Sequence, residues 1–456
     1  MPTTTALLLA LGLAQAAPPD NPDEALKQAG PGEAVNEPLT ESSASLAQAW
    51  ATLQGTKFFP STPPKLMPYL DEANIYGSEC LKKDALFTGD PLSAAAQQLK
   101  TALAQVGFTY SLWQAYDFTA MSDVRKGTDN VLNYYNALFF GTWNIFQSSE
   151  LTGTAGWLVI GANAGVGLGY DANRQSPQNN MGTLAYTMGT EYGDQVYLYE
   201  LAWQQSFFNG HLVVTAGFLD QEYALDLNTY SNNAYNQLMN YEFINAAVLP
   251  WSYQSLGVIV QWQPCDSFYC MWGSAANDTQ PRQDVFDVSS NNWSNTFEFG
   301  YIDPNFLGMG RGVYRVLPFV ATVDGTTGAG VVFNVEQQLW KDGPIGLFAR
   351  AGFGNPKVTT IQGAQASFGG GIAIAGSTDN PLMKSEQSYF AAGFYWLDPA
   401  DQTLARQNEF GIELTYVVQL TETLTVQPDI QFIFDPVQNM DADMNTQFTL
   451  QFNITW

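Results

Sequence analysis

From Gly107 to the last residue, apolar and polar side chains alternate with a period of two, and nothing else in the 456 residues constrains the fold as strongly. Successive side chains of a strand point to opposite faces, so each alternating stretch reads as a strand with one apolar and one polar face. The final stretch is the clearest: Phe448, Leu450, Phe452, Ile454 and Trp456 alternate with Gln447, Thr449, Gln451, Asn453 and Thr455. Before it, Leu424, Val426, Pro428, Ile430, Phe432 and Phe434 oppose Thr425, Gln427, Asp429 and Gln431. In 409–417, Phe410, Ile412, Leu414 and Tyr416 oppose Glu409, Gly411, Glu413 and Thr415.

Composition decides which face meets water. A soluble sandwich turns its apolar face inward and covers the other with Lys, Arg and Glu. Here charged residues make up only 13% of the chain, about half the ordinary share. The other arrangement is apolar outward into lipid and polar inward to water, the pattern of a transmembrane antiparallel β-barrel. Aromatics at 14% exclude disorder for most of the chain. A formal charge of −26 excludes nucleic acid as a partner.

The alternating segments lie at 107–120, 133–147, 154–168, 194–208, 211–220, 254–264, 267–276, 293–302, 312–322, 328–339, 344–353, 365–374, 388–396, 407–417, 422–434 and 445–456, predicting an all-β fold of sixteen strands. Asn209-Gly210 and Asp342-Gly343 are hairpin turn signals and fall on the side expected to be periplasmic. The long connections 169–193, 221–253 and 277–292 fall on the outer side. Two connections break this parity: the one around Asp324-Gly325 is short on the outer side, and 374–387 is long on the inner.

Ahead of the barrel, Ala6 to Leu13 and then Ala14-Gln15-Ala16 fit a signal peptide over 1–16, although its start lacks Lys or Arg. Beyond it no apolar run approaches the ~20 residues of a membrane helix. Residues 17–89 form a Pro- and Ala-rich periplasmic arm in this reading. Asp90-Pro91 is an N-cap with proline at the first helical position. Leu92, Ala96, Leu99, Leu103 and Val106 then follow at helical spacing, predicting an amphipathic helix over 91–106. Cys265 and Cys270 are spaced either to close a small loop or to stay reduced, and Cys80 is the odd thiol.

No catalytic constellation emerges, so an enzyme is not expected, and neither is a cofactor. The single histidine, His211, follows the Asn209-Gly210 turn and reads as a turn-flanking residue. Two cysteines with carboxylates do not make a zinc site. Gly165-Val166-Gly167-Leu168-Gly169 lacks the βαβ context of a nucleotide-binding turn and reads as small residues where a strand meets its neighbours. Glu409 and Glu413 share a face but sit roughly 13 Å apart along a strand, too far for a hydrolytic pair.

Several segments carry a family likeness: Trp203 to Asn209, Ala216 to Asp220, Phe243 to Pro250 leading into Gly257, Phe348-Ala349-Arg350-Ala351-Gly352, Glu409 to Tyr416, and above all Gln427-Pro428-Asp429-Ile430-Gln431. On these residues, from about Leu92 onward, the chain resembles the carbohydrate-selective porins of the OprB type. The resemblance implies a sixteen-stranded outer-membrane barrel with N-terminal helical elements, passing sugars by diffusion through a loop-narrowed pore. Asp435-Pro436-Val437 departs from the family's Pro-Gly at that place, and the chain is poor in arginine. Of the arginine in the family's eyelet, only Arg350 is carried over.

The expected function is therefore passive diffusion of carbohydrates and other small hydrophilic solutes through an outer-membrane porin. The alternatives are a general or cation-preferring porin, and a secreted β-rich carbohydrate-binding protein without a channel. The polar faces nominate Glu200 (opposite Tyr199 and Leu201), Glu336 (opposite Val335 and Gln337), Arg350, Glu409, Glu413, Asp429 and Gln431 as pore-lining, since a charge on the lipid face is costly. The connection from Gln221 to Pro250 far exceeds a hairpin loop and is expected to enter the barrel. Its Tyr223 and Tyr235, with Tyr230, Tyr241 and Phe243, would offer stacking faces to sugar rings.

Overall fold

A computed structural model describes residues 85–456 apart from 105, 148–153, 191–192, 252–253, 278–290, 342, 360–362, 377–382, 384–387 and 405. The signal peptide, most of the arm, Cys80 and Asp342 lie outside the described residues. The sixteen strands of the sequence reading are all present. They are β1 (Phe108–Met121), β2 (Val131–Gln147), β3 (Ala155–Gly167), β4 (Gln195–Phe207), β5 (Leu212–Leu219), β6 (Ser255–Cys265), β7 (Phe268–Ala276) and β8 (Trp293–Asp303). They continue as β9 (Gly312–Val323), β10 (Thr326–Gln338), β11 (Ile345–Gly354), β12 (Ala364–Ala375), β13 (Tyr389–Pro399), β14 (Glu409–Gln419), β15 (Leu424–Phe434) and β16 (Met444–Thr455).

Each strand pairs antiparallel with its sequence neighbours, and β1 pairs with β16, closing the barrel. Closure leaves no unpaired edge, which is what backbone in lipid requires. The polarity is inverted as expected: Phe448 and Phe452 of β16 are exposed, while Gln447, Thr449, Gln451 and Asn453 are buried inside. Around the barrel Trp143, Trp262, Trp272, Phe353, Phe394 and Phe410 are likewise exposed on the outer face.

The inner face is not polar throughout. On β9 the inward residues Val313, Leu317, Phe319, Ala321 and Val323 are buried and apolar, and they pack on Val248, Leu249 and Trp251 of the connection between β5 and β6. That connection folds into the barrel, so the wall beneath it faces protein rather than water.

The helix α1 (Pro91–Ala104) starts where predicted, with Asp90 Oδ1 accepting from Leu92 N at 2.9 Å. Its packed side differs from the predicted stripe. Ala96 and Lys100 are buried, the latter with its ammonium 5.3 Å from the Tyr110 ring centroid, while Leu92 and Leu99 stay exposed. The preceding strap is tied to the β14–β15 turn: Leu86 N and Phe87 N donate to Gln419 O and Leu420 O, and Glu422 accepts from Gly89 N and Asp90 N.

Cys265 and Cys270 are free thiols on β6 and β7. His211 Nδ1 lies 2.7 Å from Gln263 O, a structural contact at the β4–β5 turn. A Cβ at Gly165 would meet the Tyr134 hydroxyl at 1.9 Å, so the glycine-rich run is where β3 lets that ring reach Gly193 O.

Candidate functional site: the inward-folded loops and the recess they leave

Two long connections at one end of the barrel occupy its interior. The first, 168–194, carries α2 (Pro177–Met181), capped by Ser176 and ended by Gly182 at φ 71°. The second, 220–254, begins with a 3₁₀ turn at Gln221–Tyr223 capped by Asp220. The two loops touch inside the lumen, where Gly189 N donates to Met239 O and Tyr241 N to Tyr186 O, both at 2.8 Å. The sequence pointed to entry of the second loop only.

Every nominated wall residue lies inside the barrel and is buried, and most of them hold a loop. Glu409 accepts from Leu184 N at 2.7 Å and Ala185 N at 3.0 Å. Glu413 accepts from Met239 N and, at 3.0 Å, from Asn240 N. Gln431 accepts from Asn240 Nδ2 at 3.0 Å and donates to Thr187 O at 2.8 Å. Asp429 accepts from Gln431 at 3.0 Å, beside Glu413. Glu336 accepts from Thr229 through N at 2.6 Å and Oγ1 at 2.9 Å. For several of these residues loop backbone amides take the place that water would have in an open pore, and charge-assisted bonds of this kind are the stronger sort.

Glu200 shows a further difference. Gly161 pairs with Glu200 but Ala162 with Leu198, so Tyr199 is the extra residue of a bulge. Tyr199 therefore does not oppose Glu200 across the sheet; both are buried inside and both bind Asp220, through its Oδ2 and its N respectively.

Arg350 is fully engaged. It pairs with Asp226 at 3.1 Å and donates to Phe243 O at 2.6 Å, Asp226 O at 2.8 Å and Ser231 O at 3.1 Å. Asp226 adopts a left-handed φ of 59° and also accepts from Ala246 N, so this pair ties together four points of the loop, Asp226, Ser231, Phe243 and Ala246. The sequence reading missed Arg315, whose position between Tyr314 and Val316 on an alternating strand was the available signal. It bridges Glu298 at 3.6 Å and Glu336 at 3.3 Å, and Arg311 pairs with Glu336 at 3.3 Å.

Between the loops and the β1–β2 wall a small recess remains, part of it open to solvent. Trp113, Tyr223, Tyr235 and Tyr241 give it aromatic faces; Asn232, Asn233 and Asn245 give it amides; Glu222 gives it a carboxyl group. Rings with a few convergent polar groups are the usual lining of a small-molecule site. Tyr235 is buried against Trp113 with ring centroids 5.2 Å apart and reaches Asn136 with its hydroxyl. Tyr223 stands edge-on to Phe140 and Tyr199. Burial and the neighbouring Asp220 push Glu222 well above the ordinary carboxylate range. Of these residues only Tyr223, Tyr235 and Tyr241 were legible beforehand, because asparagines in a long loop are ordinary turn residues.

Residues 318–456, from within β9 to the C terminus, match the family model described as carbohydrate-selective porin, OprB family. Over these residues the match bears out the resemblance drawn from the sequence. Among solved structures, the high-pH structure of Pseudomonas putida OprB aligns over 78% of this chain and 96% of its own, with a TM-score of 0.62 at 13% identity. Its low-pH structure covers 78% and 95% with a TM-score of 0.48 at 14% identity. A Rhodopseudomonas blastica porin triple mutant covers 76% and 100% with a TM-score of 0.47 at 8% identity. No curated protein sequence matches the chain.

Proposed function

We propose that this chain is a channel of a Gram-negative-type outer membrane, through which carbohydrates and other small hydrophilic solutes diffuse down their gradients, and that it is not an enzyme. The carrying observation is the recess itself: aromatic rings and amides brought together inside a barrel whose outer face is apolar. Aromatic faces suit the C–H face of a sugar ring, and amides both donate to and accept from hydroxyls. The OprB-family match over the C-terminal strands supports the same reading. In this reading Tyr223 and Tyr235 meet solute, while Glu200, Glu336, Arg350, Glu409, Glu413, Asp429 and Gln431 act on the path by holding the loops that bound it. Proteoliposomes test it: uncharged sugars should enter without any energy source, and no entry through demonstrably folded protein would refute it.

A cation preference is the second reading, favoured by the charge inside. Arg315 and Arg350 are spent on Glu298, Glu336 and Asp226, whereas Asp117, Glu409, Glu413 and Asp429 are buried inside the barrel with no ion pair among the described residues. A reversal potential in a KCl gradient on the cation side would support it.

A further inference from the structure

The carboxyl group of Glu222 is the one lining group of the recess whose chemistry a neutral sugar does not need. It sits half-buried on the 3₁₀ turn after β5, capped through its backbone by Asp220 Oδ1 at 3.0 Å. Among the described residues no hydrogen bond or cation reaches its side chain. By contrast the wall carboxylates Glu298, Glu336, Glu409 and Glu413 are occupied by loop amides or arginines. The aromatic faces of Trp113 and Tyr241 and the amides of Asn232 and Asn233 surround the same space, and no Lys, Arg or His lines it.

We propose that the recess favours amine-bearing sugars, with Glu222 taking the ammonium group while the rings and amides take the pyranose. This rests on the channel reading above and deepens it. An unpaired carboxyl group beside a second acid is a poor neighbour for an anion and a good one for a cation, and the low-dielectric wall concentrates that effect. Among the described residues, the titratable groups around Glu222 are Asp220 on its own turn and the phenols Tyr223, Tyr235 and Tyr241 that line the recess with it, and Tyr199 of β4 is held on Asp220. None supplies a positive charge. Because burial and Asp220 raise Glu222 well above the usual range, the group keeps its proton more readily than an ordinary carboxyl group and loses it as pH rises. An entering ammonium group favours the carboxylate and releases that proton to solvent. The preference should therefore grow as pH rises from acid toward neutrality.

The test is swelling of proteoliposomes in glucosamine, its uncharged counterpart N-acetylglucosamine, and glucose, each variant read as the ratio of amine to neutral rates so that overall flux cancels. The wild type should favour glucosamine at neutral pH by up to about fivefold, the size of a partly screened ion pair, and less at acid pH. Glu222→Gln should bring the ratio to that of N-acetylglucosamine over glucose at all pH values, and Glu222→Asp should restore part of it. Equal rates for amine and neutral sugars in the wild type, or a ratio unchanged in Glu222→Gln, would overturn the inference while leaving the channel reading intact. No flux of any of the three would overturn the channel reading itself, and this inference with it.

Discussion

At the scale of single residues, the inner wall works through charges that are matched rather than displayed. Arg350 is the sharpest case, since its guanidinium answers Asp226 and two further loop carbonyls in a dry setting. Arg350→Met should cost about 3–5 kcal/mol, because it strands a buried carboxylate. Arg350→Lys should fall between, keeping charge but losing the fork. Arg174→Met, which removes a pair to Asp171 out on the surface, should cost under about 1 kcal/mol. Urea titration of the folded barrel in vesicles measures all three. That Arg350 faces inward was readable from alternation; that it is consumed by Asp226 was not, because the partner lies 124 positions away in a loop without periodicity. A different signal was present and easily passed over. Gly369 and Gly393 lie on the inner faces of β12 and β13, and a Cβ at Gly393 would meet the Phe243 ring at 2.7 Å. Inward glycines in strands mark where another piece of chain comes close.

At the scale of elements, strands were legible nearly to the residue because a two-residue period sustained along a segment fits little but an extended chain with two unlike faces, whereas the loops obey no such rule. The bulge at Tyr199 escaped for a related cause: one inserted residue resets the alternation locally without changing composition. The 220–254 loop supports its neighbour, since 168–194 bonds to it at Met239 and Tyr241. Deleting 229–242 should therefore unseat both loops and raise single-channel conductance by more than removal of one obstruction alone; an unchanged conductance would place the constriction elsewhere. The strap ahead of α1 carries a pH signature. The Gly89 amide is the main cause holding Glu422 below the ordinary carboxylate range, with Asp90 N adding to it. A depressed folded value means the tether is fully present above the ordinary carboxylate pKa and is lost as pH falls through the lowered value. Protease cleavage within 85–90 should accordingly rise at acid pH, and Glu422→Gln should raise it at neutral pH.

At the scale of the whole molecule, the closed sheet and the inverted polarity are one fact seen twice: lipid demands both a sheet without edges and an apolar exterior. Leu450, at the middle of β16, faces outward between Phe118 on β1 and Pro428 on β15. Leu450→Arg should destabilise the barrel by about 2–4 kcal/mol, the midplane cost of a lipid-facing charge, as read from reversible unfolding in bilayers.

Part of the wall's grip on its loops is on their main chain. Leu184, Ala185 and Met239 are each held through a peptide N–H, and Asn240 through its peptide N–H as well as its side-chain amide. Any residue other than proline presents that handle. At these points the cradle holds its cartridge without reading the label: the side chains turned toward the recess can be exchanged for others while the barrel grips the same backbone.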